Sequence, residues 1–192
     1  MNYIALDLEM NQPSNKIIQV GVAVGNPDLG VLIRKGWYVD PEEPIDEYIT
    51  HLTGIDDKII DLDATPLSVV AEEIGKLVMD NSCFTNPVQW GGGDVKVLLN
   101  EFRLKDINFP FFGRREIDVK TIFTYLSFAQ DKKTTGGLAS AMGRYGLKFE
   151  GTAHRADIDA ENTLRFFFVL LNRQKQFEKT FNEMRQMGKL NG

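Results

Sequence analysis

Residues 4–12 read IALDLEMNQ, an apolar, strand-like run in which Asp7 and Glu9 are spaced two apart. Side chains at i and i+2 of a strand project from the same face, so these two acids leave the sheet together. Adjacent like charges repel, and burial makes the repulsion worse. Such a pair persists where a divalent cation lies between the carboxylates, or where the strand ends in open solvent. Whatever the chain folds into, its first strand must end at one of these two places.

The runs KIIQVGVAVG and GVLIRKGWYVD follow, β-branched and joined by the turn-rich NPDLG, which predicts a hairpin and an antiparallel three-stranded start. Residues 41–60 read as a loop with short helical pieces. The stretch TPLSVVAEEIGKLVMD has apolar residues at helical spacing, with Thr65 expected as N-cap and Pro66 at the first helical position. PVQWGGG predicts a buried strand and DVKVLLNEF a helix opened by Asp94, while EIDV predicts a strand end with Asp118 as cap of the next helix. Separate helices are expected over TGGLASAMGRYG, DIDAENTLRFFFVLL and QKQFEKTFNEMRQM. This order implies an α/β fold: a mixed five-stranded sheet, three antiparallel strands and then parallel ones, flanked by helices. No repeat or low-complexity linker divides residues 1–192, which read as one domain.

The single cysteine, Cys83, excludes an intramolecular disulfide, and DNSCFTN surrounds it with no nucleophile motif. No apolar run reaches the roughly 18 residues that span a bilayer. MNYIALDLE lacks the basic segment and long apolar core of a signal peptide, so the expected location is cytoplasmic, without a membrane partner. A net charge of −5 argues against a wholly basic nucleic-acid-coating surface. The residues from Arg165 onward are nevertheless basic, with Arg165, Arg173, Lys175, Lys179, Arg185 and Lys189 against Glu178 and Glu183. A local basic face and an ordinary solvated helix explain that asymmetry equally well.

Three acidic motifs occur in order: DLE at Asp7 to Glu9, GGGD ending at Asp94, and HRADID from His154 to Asp159. HLTGI adds a fourth segment at His51 to Ile55. Together they resemble the DEDDh 3′-to-5′ exonucleases of the ribonuclease-H-like superfamily, and DLEM is similar to the oligoribonuclease and RNase T side of it. The departure is WGGGD, where many relatives carry an asparagine and a phenylalanine. The resemblance implies that Asp7, Glu9, Asp94 and Asp159 bind two Mg²⁺ or Mn²⁺ ions, with Asp7 bridging them, and that His154 is the general base. It further implies a pocket for the terminal nucleotide from Leu8, Met10, Leu52, Thr53 and Ile55, although core packing explains Leu8 and Met10 as well.

The chemistry fits these residue types independently. Phosphodiester hydrolysis needs an activated water, neutralised charge at phosphorus and a stabilised leaving oxygen, and two hard cations on carboxylate oxygens serve all three. An imidazole, titrating near pH 6.5 when unperturbed, can accept the proton of the water. Two positions have rivals. Asp157 competes with Asp159, but in a helix the two lie roughly 200° apart, and the family spacing favours Asp159. Asp118 competes with Asp94, since each follows a strand and opens a helix. The stretch FPFFGRRE, with Phe109, Phe111 and Phe112 beside Arg114 and Arg115, reads either as a stacking surface for a single strand or as core. The expected activity is metal-dependent release of nucleoside 5′-monophosphates from a single-stranded RNA or DNA 3′ end. The alternatives are a proofreading subunit of a polymerase and a catalytically silent nucleic-acid-binding domain. A homodimer is compatible with the sequence but not specified by it.

Overall fold

The computed structural model describes residues 1–187. Strand β1 (Tyr3–Met10) alternates as its sequence dictates, burying Ile4, Leu6 and Leu8 on one face and Ala5 on the other. It pairs antiparallel with β2 (Ile17–Asn26), which pairs antiparallel with β3 (Gly30–Tyr38). The short strands β4 (Val88–Gln89) and β5 (Ile117–Asp118) extend the sheet in parallel, in the order β3-β2-β1-β4-β5. This is the expected mixed sheet of the ribonuclease-H-like folds.

Helices cover both faces. The connection between β3 and the next long helix carries two short ones, α1 (Glu47–Thr53) and α2 (Asp57–Asp63), packed around Ile18 in an apolar cluster of their own. Val20, Val22 and Val24 of β2 join Ile4 and Leu6 beneath α3 (Leu67–Asp80) and α4 (Asp94–Leu104), which bury Val70, Ile74, Leu98 and Phe102 there. On the opposite face, Ala5, Ala23 and Val88 lie under α5 (Val119–Phe128), α6 (Leu138–Arg144) and α7 (Ala156–Gln186), through Phe123, Met142, Leu164 and Phe166.

The two faces differ in side-chain size, which sets the approach of α7. Ala5 of β1 and Gly21 and Ala23 of β2 keep this face low beneath it. A Cβ built on Gly21 would stand 2.0 Å from the Ala156 carbonyl carbon, and one on Gly36 would stand 3.0 Å from Asp157 Cβ. The start of α7 therefore rests directly on the backbone of β2 and β3.

Several sequence expectations are corrected. The two helices expected over residues 157–171 and 174–187 are one, Ala156–Gln186, because no glycine or proline interrupts that stretch. Pro66, with an extended ψ of 134°, is the N-cap of α3 rather than its first residue, and Thr65 does not cap it. Phe109, Phe111 and Phe112 are half-buried against the core, with Phe102 and Phe109 ring centroids 5.0 Å apart, which favours the packing reading of these rings, while Arg114 and Arg115 are exposed. Lys189 lies outside the described residues.

Replacing Gly21 by alanine should therefore force α7 off the sheet. Overpacking of this kind typically destabilises by about 1–3 kcal/mol, and more where the clash is with backbone. Chemical denaturation of Gly21→Ala, compared with the exposed Gly143→Ala control, measures the loss; equal stability of the two would contradict the close approach.

Candidate active site

The carboxyl-terminal half of β1 carries Asp7 opposite Gly21 and Glu9 opposite Gln19, and the register slips immediately afterwards, between Glu9 and Met10. The residue left over is Ile18 of β2, an irregularity of the kind common beside functional sites. Asp94 arrives by a different route. After β4 the chain passes Trp90 and turns through Gly91, Gly92 and Gly93, whose φ values of 93°, 75° and 120° suit glycine alone. Buried Gln89 fastens the far side of that turn, its Oε1 accepting the Val95 amide at 3.2 Å.

Asp118 is occupied elsewhere. Its Oδ1 accepts the Lys120 amide at 2.9 Å as the cap of α5, and the Gly91 amide at 3.0 Å. It thus holds the glycine turn whose end presents Asp94. On the third segment, His154 has a positive φ of 62°, and its backbone amide donates to Asp159 Oδ2 at 2.9 Å. Asp157 faces away, toward Arg34, whose Nε lies 3.3 Å from its carboxylate.

Asp7, Leu8, Glu9, Asp94, His154 and Asp159 line one cleft of about 490 Å³. Glu9, His154 and Asp159 each offer a ligand atom within 4.8 Å of the others. The remaining wall comes from Trp90, Phe149, Ala153 and Gly137 to Ser140, none of which the sequence singled out. Trp90 had a signal, since it adjoins the glycine run; Phe149 had none. The expected nucleotide pocket is only partly assembled. Leu8 lines the cleft, but Met10 packs against the β1–β2 core, Ile55 is buried in the apolar cluster around Ile18, and the Thr53 hydroxyl donates to the Ile49 carbonyl at 2.8 Å. Leu52 is likewise not among the cleft residues. A second cavity of about 480 Å³, between Val39, Thr65, Leu67 and Lys105, contains no comparable group of acids.

The carboxylates resist ionisation. Burial, followed by the neighbouring Asp94, Asp159 and Glu9, drives Asp7 well above the usual carboxylate range. Burial and Asp159 push Glu9 to about 7, against the partial relief of Arg155. Burial and Glu116 push Asp94 to about 6. Asp159 is also raised by burial, opposed first by the His154 amide. A cluster with this tension and with oxygen donors beside one imidazole fits hard divalent cations, which replace the mutual repulsion by attraction.

The RNase T family of exonucleases matches residues 4–167. This chain belongs to that exonuclease family. Its motifs follow the DEDDh pattern, and the nuclease domain of 3′hExo, a DEDDh member whose crystal structure is bound to rAMP, superposes with a TM-score of 0.74 at 19% identity, covering 90% of this chain and 92% of that one. The cell-death related nuclease CRN-4 gives a TM-score of 0.76 at 22% identity, over 90% of this chain and 64% of that one. In sequence, the DNA polymerase III PolC-type protein of Streptococcus mutans serotype c is 24% identical over 188 residues, covering 91% of this chain. The chain spans only 12% of that relative's length, and 61% of a similar full-length 3′-exonuclease. Among the described residues no helix is long and apolar enough to cross a membrane.

The raised carboxylates make a pH prediction. Glu9 is shifted from 4.5 to about 7 and Asp94 from 3.8 to about 6, so between these limits the folded protein binds more protons than the unfolded chain. Metal-free stability then falls as pH rises through that window and levels off above it. Melting in EDTA should occur at a lower temperature at pH 7.5 than at pH 5, the difference should shrink in a Glu9→Gln/Asp94→Asn double variant, and Mn²⁺ should restore stability at pH 7.5. A pH-independent melting temperature would count against the clustered arrangement.

Proposed function

We propose that the chain is a metal-dependent 3′-to-5′ exonuclease that removes nucleoside 5′-monophosphates from single-stranded ends. The observation that carries this reading is the convergence of Asp7, Glu9, Asp94, His154 and Asp159, from three distant segments, on one open cleft. Asp7, Glu9, Asp94 and Asp159 would hold two Mg²⁺ or Mn²⁺ ions, which supply neutralisation of charge at phosphorus and a more acidic water.

The chain's own groups do the rest. His154 is exposed at the cleft mouth and can take the proton of the attacking water, while its backbone amide keeps the Asp159 carboxylate turned toward the cleft. Leu8, Trp90 and Phe149 provide apolar surface on which a terminal base or ribose packs without hydrogen-bond readout, which suits degradation that ignores sequence. A silent binding domain would gain nothing from acids facing phosphates, so that alternative has no support in the electrostatics. The PolC likeness favours one second reading, a proofreading exonuclease working beside a polymerase.

Hydrolysis of an end-labelled single strand should require Mg²⁺ or Mn²⁺, begin at a free 3′ hydroxyl, and stop in EDTA. Equal cleavage of a circular strand would overturn the exonuclease reading, and a marked preference for mispaired primer ends would favour the proofreading one.

His154→Ala should lower the turnover number by about 10² to 10⁴ with KM nearly unchanged, and rising pH should recover part of the loss. Asp157→Ala should keep turnover within about threefold of the parent, because its carboxylate serves Arg34 and not the cleft. Single-turnover rates against pH decide this; an unaffected His154 variant would remove the base from the mechanism.

A further inference from the structure

The segment that bears His154 and Asp159 lacks a cap of its own. Arg155 stands at the N-cap of α7 without a side-chain hydrogen bond to the first turn. The missing acceptor comes from the sheet: Gln19 on β2, only 2% exposed, receives the Ala156 amide on its Oε1 at 3.0 Å. Gln19 is paired across the ladder with Glu9 on one side and Tyr38 on the other. The Tyr38 hydroxyl in turn accepts a hydrogen bond from Arg155 Nη2 at 2.8 Å, with the guanidinium 5.6 Å from the ring centroid.

One cross-strand row, Glu9, Gln19 and Tyr38, therefore holds both walls of the cleft. Glu9 is a wall itself, and its two neighbours grip the residues that follow His154. Gly21, two residues along the same face, removes the side chain that would otherwise lift the helix away. Burying an amide is unfavourable unless it is hydrogen-bonded, so the row is sound only while Gln19 and the Ala156 amide meet. Ligand atoms held within 4.8 Å of one another tolerate little sliding between strand and helix.

We propose that Gln19 is a positioning residue: its side-chain carbonyl caps α7 from the sheet and thereby sets the separation between Glu9 and the His154–Asp159 pair. The consequence for turnover rests on the exonuclease reading; the consequence for cation affinity does not.

Three variants of the full chain separate position from mere stability. Gln19→Met fills the same space without an acceptor. Gln19→Asn keeps the amide but is one methylene too short. Gln19→Glu keeps both reach and an acceptor oxygen. Mn²⁺ affinity by calorimetry, turnover number and KM on a labelled oligonucleotide, and exchange of the Ala156 amide are measured well below each melting temperature. Gln19→Met and Gln19→Asn are expected to lose about 10- to 100-fold in Mn²⁺ affinity and in turnover, with KM within about threefold and faster Ala156 exchange. Gln19→Glu adds a charge opposite Glu9 and is read by the amide alone: it is expected to keep Ala156 exchange slow, as in the parent. The proposal is overturned if Gln19→Asn, or Gln19→Met where it folds, keeps the parent's affinity and turnover, or if Ala156 exchange is equally fast in all three variants. A parent protein that binds Mn²⁺ yet hydrolyses no nucleic acid would refute the exonuclease reading while leaving the calorimetric comparison to decide on Gln19.

Discussion

Burial of four acids, Asp7, Glu9, Asp94 and Asp159, in one cleft is the constraint around which the site is organised, since it raises all four above the usual carboxylate range and their neighbours add repulsion at Asp7 and Glu9. Left alone, such groups would move apart or into water. They stay because each is fixed by a different element with its own reason to be there. Asp7 and Glu9 ride on a strand buried on its other face, Asp94 is the first residue of a helix that buries Leu98 and Phe102, and Asp159 lies in the first turn of α7. Apolar burial, at about 25 cal/mol per Å² removed from water, holds the strand and helices in place despite the charges. The positive end of α7 and the His154 amide give Asp159 partial relief, as the Arg155 guanidinium does for Glu9.

Residues that carry no charge set the geometry just as firmly. The face of β1 and β2 that meets α7 carries Ala5, Gly21 and Ala23 at its centre, so the first turn of this helix can lie against the backbone. The opposite face, rich in valine and leucine, needs no such closeness and packs through side chains. The same division of labour appears at Asp118, whose carboxylate caps one helix and steadies the glycine turn leading to Asp94. An acid that looks catalytic by its position in the chain thus acts as a brace for the acid that reaches the cleft.

The glycine turn distinguishes this chain from the motif it resembles. Gly91 to Gly93 turn the chain between Trp90 and Asp94, which both line the cleft, and Trp90 rests on Phe123 and Phe166 at ring-centroid distances of 6.0 Å.

Much of this was legible in the sequence, because it depends on local rules. The period-two alternation fixed which face of β1 is core, the acid spacing placed Asp7 and Glu9 together, and helical spacing in HRADID separated Asp159 from Asp157. The motif order also brought Asp94 to the right place among the acids, though nothing in the residues alone distinguished it from Asp118. Tertiary structure decided what local rules cannot reach. Whether a phenylalanine at 109 faces solvent or core, whether Thr53 and Ile55 meet a ligand or a neighbouring isoleucine, and whether Gln19 is an idle buried amide or the cap of a helix 137 residues away are questions of what lies opposite in space. Sequence records the periodicity of one element at a time; the partner that satisfies a buried polar group or fills the room above a glycine exists only once two elements have packed.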